Sequence, residues 1–200
     1  MTSRSRDEAG IVVPLRSFTT AKARLAGVLS DSEREALARS MAERVVRAAA
    51  SRPVAVVTSA PEVVTFARDL GCEVLADPGS LDAAATAGRA WATENGMVRY
   101  AVAHGDLPLA RSFDAILTDA AAPVAVIVPD HRDDGTPVIS LPADAPFTFA
   151  YGPGSAARHA QEARRSGLTV RMVHDDELGF DVDLADDLAA LESWRRAQVR

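Results

Sequence analysis

The sequence predicts an α/β fold of three αβα layers, in which a mostly parallel β-sheet carries helices on both faces. Short apolar runs typical of buried strands alternate along the chain with longer segments of helical periodicity. The alternation extends over most of the 200 residues, a length typical of one domain. It becomes irregular between 130 and 155, which predicts an inserted hairpin and an antiparallel strand at the edge of the sheet.

In the first half of the chain, strands are predicted for the apolar runs at 10–15, 54–59, 72–77 and 98–103. The helix at 30–50 begins with the capping-box pair Ser30 and Glu33. A second helix, at 61–71, begins with proline and ends with glycine, and a third, at 81–96, stops at an Asn-Gly pair.

In the second half the elements are less regular. Helices are predicted at 109–121, 156–167 and 184–198. Strands are predicted at 124–129, 138–142 and 168–173. The turn-rich segments 130–137 and 147–155 are predicted to be loops.

Composition and charge exclude several classes of function. No apolar run approaches the roughly 20 residues of a membrane span. Residues 1–9 resemble a disordered tail without a signal peptide, so we expect one domain at 10–200, in the cytoplasm. A net charge of −6 argues against nucleic-acid binding. The single cysteine, Cys72, permits no intrachain disulfide, and its place at the start of a strand predicts a core position.

Two acidic segments are candidates for a metal site. Asp106 follows the strand at 98–103 and is flanked by Gly105, expected to let the backbone turn, and by Pro108. This stretch alone favours an ordinary turn or a cap of the next helix. In "FDVD", Asp181 and Asp183 would share one face of a strand, where a divalent ion such as Mg²⁺ would relieve their repulsion.

The acidic pair has an alternative explanation as the start of a helix. Asp183 would be the N-cap, and Asp186 and Asp187 would interact favourably with the helix dipole. This interpretation leaves Asp181 unexplained, whereas a divalent ion accounts for both residues.

Two further loops suit anionic ligands. Arg16, Lys22 and Arg24 follow the first strand and suit a polyphosphate, although a solvated basic loop is equally consistent. Neither a G-x-x-x-x-G-K-[ST] loop nor a G-x-G-x-x-G fingerprint is present.

The second loop, "GPGS" at 152–155, leads into a helix and could offer free backbone N–H groups to an anion, or be a plain N-cap by Ser155. Thr136 could add a hydroxyl donor, although a turn role is as consistent. His159 is expected to be solvated on the polar side of its helix.

Taken together, the motifs resemble those of the guanylyltransferases of coenzyme F-420 biosynthesis. The matching pieces span residues 11 to 191 and are "AK-x-RLA", "VVTS", "ADPG-x-L", "GDLPL", "DGT", "GPGS-x-ARH" and "D-V-D". The resemblance implies a nucleotidyltransferase-like, Rossmann-like α/β fold. It implies transfer of GMP from GTP to the phosphate of phosphoenolpyruvate or 2-phospho-L-lactate, with release of pyrophosphate.

The resemblance also implies roles for individual residues. Asp106, Asp181 and Asp183 would hold Mg²⁺; Arg16, Lys22 and Arg24 would face the triphosphate; Thr136, Gly152 and Ser155 would bind the acceptor. Asp106, Lys22 and Arg24 would act in catalysis, and a homodimer is left open.

The chain departs from the family pattern at three positions. Arg16 replaces the usual lysine, Asp82 replaces the usual asparagine of the nucleotide site, and Pro137 removes a backbone donor. An acid at 82 would repel nucleotide phosphates. The alternatives are therefore a nucleotidyltransferase for another acceptor, such as 3-phosphoglycerate, a sugar phosphate or a molybdopterin-type cofactor, or a non-catalytic nucleotide-binding protein of the same fold.

Overall fold

The computed structural model describes residues 9–117 and 122–198. The strands are β1 (Ala9–Pro14), β2 (Val54–Val57), β3 (Glu73–Leu75), β4 (Arg99–Ala103), β5 (Val124–Val128), β6 (Val138–Pro142) and β7 (Thr169–Met172). The helices are α1 (Asp31–Ala48), α2 (Pro61–Asp69), α3 (Leu81–Glu94), α4 (Asp114–Leu117), α5 (Ser155–Arg165) and α6 (Ala185–Gln198), and a 3-10 turn spans Ala23–Leu25.

The described strands form one sheet in the order β3-β2-β1-β4-β6-β5-β7, in which β6 alone runs opposite to the others. The predicted α/β class is confirmed, but the antiparallel strand lies inside the sheet and not at its edge. All five residues of β6 are buried, as expected for a strand paired on both sides and covered on both faces.

Helices cover both faces of this sheet. Ile11 and Val13 point to one face, where they join a core cluster that includes residues of α1 and α2. Val12 points to the other face, in a cluster with residues of α3 and α5. A smaller cluster around Leu25 and Leu191 lies beneath α6. In the described part of the chain, no helix combines the length and the apolar character that crossing a membrane requires.

Some boundaries differ from the predictions. β1 begins at Ala9, one residue inside the predicted tail, and residues 1–8 lie outside the described residues. The helix predicted at 109–121 begins only at Asp114, as α4, and the predicted residues 118–121 lie outside the described residues. The segment 180–183 is not part of a strand.

The strand order reverses at β1 and β4, and a cleft lies at the carboxyl ends of these two strands. From β1 the chain proceeds to β2 and β3 on one side, and β4 then adds on the other side of β1. In such sheets, ligands bind at the carboxyl ends of the strands where the order reverses.

Candidate active site

Three aspartates, here called the carboxylate cluster, meet at the carboxyl end of β4. Asp106 lies on the loop after β4, and Asp181 and Asp183 lie just before α6. One carboxylate oxygen from each lies within 4.8 Å of the others. The Val182 N–H donates to the Asp106 carbonyl at 3.4 Å, which joins the two segments. The three residues predicted as metal ligands are therefore brought together, although no strand carries the pair.

Gly105 lets the Asp106 loop lie against the end of β1. A Cβ atom at this position would lie 2.2 Å from Leu15 Cδ2, and the glycine is not among the residues with positive φ. The chain bends at Gly105 as expected, but this bend does not require a positive φ. The glycine also leaves room for the Leu15 side chain, which a larger residue would displace.

Lys22 is the cation that enters the carboxylate cluster. Its side chain is 9% exposed, and its Nζ donates to Asp106 Oδ2 at 2.5 Å and to Asp183 Oδ1 at 2.8 Å. Burial alone would lower the lysine pKa, but the two carboxylates raise it above its ordinary value. Lys22 has a φ of 55°, an uncommon conformation for a residue other than glycine, which its contacts hold in place.

The charge of the carboxylate cluster is only partly compensated. Asp106 Oδ1 and Asp181 Oδ1 are buried and accept no hydrogen bond; His131 Nδ1 is 3.3 Å from the latter but outside hydrogen-bond geometry. Burial, together with the charges of Asp106 and Asp183, raises the pKa of Asp181. Carboxylate oxygens that converge and lack partners fit a hard divalent cation such as Mg²⁺.

The interpretation of Asp183 as a helix N-cap is not what the structure shows. Its carboxylate accepts from Lys22, whereas Asp187 Oδ2 accepts from the Asp183 and Leu184 N–H groups at 2.9 and 2.8 Å. Burial opposes ionisation of Asp187, but these two hydrogen bonds and Arg132 lower its pKa. Asp187 therefore stabilises the start of α6, which leaves Asp183 to the carboxylate cluster.

The other two predicted cations lie outside the carboxylate cluster. Arg24 is 73% exposed, with Nη1 at 3.6 Å from Asp183 Oδ2. Arg16 is 71% exposed and donates to the Gly79 carbonyl at 2.6 Å. A cleft of about 460 Å³ is lined by Arg16, Lys22, His104 and Asp106, among others, and Arg16 also lines an adjoining cleft of about 360 Å³.

Asp82 has a partner within the protein. Its Oδ1 accepts from the Tyr151 N–H at 2.7 Å, which ties the second residue of α3 to the loop before α5. The carboxylate thus stabilises this loop. Its contact with a nucleotide stays a prediction.

Thr136 lies at the same end of the sheet as Asp106, namely the carboxyl end of β4, because β6 runs antiparallel to β4. The amino end of β6 pairs with the carboxyl end of β4 (Ala103 opposite Val138), and the His104 N–H donates to the Pro137 carbonyl at 2.8 Å. Pro137 has no backbone N–H to donate, but its carbonyl accepts this hydrogen bond from His104. Thr136 Oγ1 lies 3.0 Å from Ser155 Oγ, and both residues are 1% exposed.

The loop into α5 differs from the predicted cradle of free N–H groups. The Gly154 and Ala156 N–H groups donate to Asp134, and the Ser155 N–H donates to the Gly152 carbonyl. These three donors are already used, so an anion bound here would depend mainly on the two hydroxyls. Gly152 and Gly154 have φ of 102° and 73°, which explains the need for glycine at both positions.

His159 is fully buried, so the expectation that it is solvated is wrong. Nδ1 lies 3.0 Å from Thr136 Oγ1, and Nε2 accepts from the Ala150 N–H at 3.0 Å. We call Thr136, Ser155 and His159 the hydroxyl chain. Burial lowers the histidine pKa to about 4, so the ring is neutral near pH 7. Its spacing of four residues from Ser155 places both on one helix face, a signal that sequence reasoning missed.

Cys72 packs against the core, in agreement with the prediction. Burial raises the pKa of its thiol to about 11. The thiol is therefore protonated near neutral pH, and a nucleophilic role is not supported.

The chain is similar in sequence to known proteins over almost its whole length. Residues 9–192 match the family model described as "Guanylyl transferase CofC like". The chain is 39% identical to the phosphoenolpyruvate guanylyltransferase of Rubrobacter xylanophilus, over 94% of this chain and 96% of that protein. It is 34% identical to the 3-phospho-D-glycerate guanylyltransferase of Phenylobacterium zucineum (90% and 87%) and 31% identical to the 2-phospho-L-lactate guanylyltransferase of Methanothermobacter thermautotrophicus (90% and 82%).

The fold also matches solved structures. A nucleotidyl transferase from Methanothermobacter thermautotrophicus aligns with a TM-score of 0.65 over 95% of this chain and 99% of that one. At 16% sequence identity, this similarity supports the fold alone.

Proposed function

Because this chain belongs to the family of CofC-like guanylyl transferases, we propose that it transfers GMP from GTP to the phosphate of a three-carbon acid in coenzyme F-420 biosynthesis. Phosphoenolpyruvate is the first choice of acceptor, 2-phospho-L-lactate the second. The observation that carries the proposal is the carboxylate cluster with Lys22, placed at the strand-order reversal where two anionic substrates would meet.

The proposed reaction is one displacement at phosphorus. An oxygen of the acceptor's phosphate bonds to the α-phosphorus of GTP, the bond from that phosphorus to the bridging oxygen breaks, and pyrophosphate leaves with the electron pair. The nucleophile is already anionic near neutral pH, so no strong base is required. What the protein must supply is alignment and neutralisation of charge.

In this proposal the carboxylate cluster holds Mg²⁺, through Asp106, Asp181 and Asp183. Asp106 Oδ1 and Asp181 Oδ1 are buried and accept no hydrogen bond, which supports this assignment. Three carboxylates face one buried ammonium group, and Arg24 is largely exposed, so the cluster carries excess negative charge. A bound divalent cation would supply positive charge to both anionic substrates.

Lys22 has a role of its own in this proposal. An ammonium group has three N–H donors, and Asp106 and Asp183 accept two of them. In this proposal the third donates to a phosphate oxygen in the cleft that Lys22 lines. Arg16 and Arg24, on exposed positions of the same loop, would face the triphosphate and the leaving pyrophosphate.

The acceptor is assigned to Thr136, Gly152 and Ser155. The two hydroxyls lie together at the edge of the sheet that carries Asp106, and Gly152 belongs to the loop that covers them. Relatives with the same fold and similar identity are named for three different acceptors. The 3-phosphoglycerate activity is therefore a second candidate.

The test is an assay of pyrophosphate release by the purified full chain. It would receive GTP with phosphoenolpyruvate, 2-phospho-L-lactate or 3-phosphoglycerate, with Mg²⁺ or with a chelator, and mass spectrometry would identify the product. We expect Mg²⁺-dependent release and a guanylylated phosphoenolpyruvate, with ATP as the control nucleotide. Release that is greater with 3-phosphoglycerate would favour the second candidate, and no release with any acceptor would contradict both.

A further inference from the structure

We infer that His159 is a positioning residue whose Nδ1–H donates to the hydroxyl chain, so that one hydroxyl proton is left for the acceptor whichever way the bond between Thr136 and Ser155 runs. The subsite would then favour an anionic oxygen, from a phosphate or a carboxylate. The inference rests on the proposed function in one respect, the assignment of Thr136 and Ser155 to the acceptor.

The first step is the tautomer of His159. Nε2 lies 3.0 Å from the Ala150 backbone nitrogen. A backbone N–H can only donate, so Nε2 is the acceptor and carries no proton. The ring is fully buried, with Phe147, Phe149 and Tyr151 packed around it, which keeps it neutral. The single ring proton is therefore on Nδ1.

The second step is a count of hydroxyl protons. Nδ1–H donates to Thr136 Oγ1 at 3.0 Å. Thr136 Oγ1 and Ser155 Oγ are 3.0 Å apart, and the hydrogen bond between them uses one hydroxyl proton. Two hydroxyls carry two protons, so one is left. Within residues 9–117 and 122–198, this proton has no further hydrogen-bond acceptor.

The other tautomer would give the opposite result. With the proton on Nε2, Thr136 would donate to Nδ1 and Ser155 would donate to Thr136. Both hydroxyl protons would then be used within the protein, and none would be left for a ligand. The Ala150 N–H therefore determines, through His159, that the hydroxyl chain ends in a donor.

The consequence is selection of ligand charge. Both hydroxyl residues are almost fully buried, so they offer one directed donor and not a broad polar surface. In a site of low dielectric constant, a donor binds an anionic oxygen more strongly than a neutral one. This suits the phosphate or carboxylate of a phosphorylated acid.

Two variants separate the two ends of the imidazole. In His159→Asn the side-chain amide can replace Nδ1–H as a donor to Thr136, whereas in His159→Gln the longer side chain can replace Nε2 as the acceptor for Ala150. With saturating GTP, we expect His159→Gln to raise the KM for phosphoenolpyruvate about tenfold to a hundredfold. The KM for GTP should change less than about threefold, and His159→Asn should retain most of the acceptor affinity.

The matched control is His174→Asn. This histidine is 70% exposed, and its Nε2 lies 3.0 Å from a carboxylate oxygen of the exposed Asp133. It should behave as the wild type. Equal effects of the two His159 variants, or an equal rise in the KM for GTP, would overturn the inference.

A second measurement does not depend on the variants folding or on catalysis. In the ¹⁵N spectrum of the wild-type chain, His159 should show a protonated Nδ1 and an unprotonated Nε2, before and after addition of phosphoenolpyruvate. A protonated Nε2 would overturn the inference. If the wild type released no pyrophosphate with any acceptor, the proposed function would fail, while the spectrum would still decide the direction of the hydrogen bonds.

Discussion

The carboxylate cluster and the hydroxyl chain lie at the same edge of the sheet but differ in how their polar groups are satisfied. In the cluster, two buried carboxylate oxygens have no hydrogen bond, and the pKa of Asp181 is raised. In the hydroxyl chain, the three hydrogen bonds of Thr136, Ser155 and His159 are each 3.0 Å long, and His159 is neutral. The contrast teaches that the first region contains buried carboxylate oxygens with no hydrogen bond, which the proposed cation would satisfy, whereas the polar groups of the second are already paired within the protein.

The largest effect expected from this difference is at Asp106. In Asp106→Asn the amide removes the charge that faces Lys22 and one of the proposed metal-binding carboxylates, so kcat/KM should fall by about a thousandfold. Pyrophosphate release measures the rate, and circular dichroism checks that the fold is retained. Asp114→Asn, at an exposed aspartate paired with Arg52, is the control and should keep the wild-type rate. Wild-type turnover in Asp106→Asn would rule out the metal role.

The second effect concerns acid stability and tests the hydroxyl chain. The folded pKa of His159 is about 4, below its ordinary 6.5, so the unfolded chain binds the proton more readily. Stability from the neutral ring is complete above pH 6.5 and is lost as the pH falls towards 4, by about 3 kcal/mol.

Urea unfolding of the wild type and of His159→Asn at several pH values would measure this loss. The variant lacks the ring, so its free energy of unfolding should vary less over the same range. Parallel pH profiles of the two proteins would show that the histidine is not buried as described.

The third predicted effect is a stabilisation of the fold by a substitution in the carboxylate cluster. In Asp181→Asn, without metal, the loss of one like charge should raise the free energy of unfolding by about 1 kcal/mol. Added Mg²⁺ should then stabilise the wild type more than the variant. Thermal unfolding with and without Mg²⁺ measures both. Destabilisation of the metal-free variant would mean that the carboxylate is satisfied in the folded state.

The smallest effect is expected at Asp82. Asparagine can accept from the Tyr151 N–H as the carboxylate does, so Asp82→Asn should change the KM for GTP by less than about twofold. Steady-state kinetics against GTP would check this. A KM for GTP that falls severalfold in the variant would place the carboxylate near the nucleotide phosphates and show that the acid reduces binding.

Part of the site could be predicted from short stretches of sequence. Asp106 follows an apolar run, which predicts a position at the end of a strand. A helix start explains Asp183 but not Asp181, so this acidic pair indicates a cation site. His159 could not be placed by its charge pattern, because loop 147–155 folds over it and removes it from water. The residue that accepts hydrogen bonds at the start of α6 is Asp187 and not the predicted Asp183, because the Asp183 and Leu184 N–H groups donate to the Asp187 carboxylate.

The sequence by itself determined the α/β alternation, the polar residues at the strand ends and the family resemblance. Each of these is read from short stretches or motifs in which the residues concerned are close together along the chain. What only the tertiary structure decided is which of those residues meet. Lys22 contacts carboxylates 84 and 161 residues away, and Thr136 reaches the edge that carries Asp106 because β6 is reversed inside the sheet. Strand order and direction arise from packing over the whole domain, which no local pattern encodes.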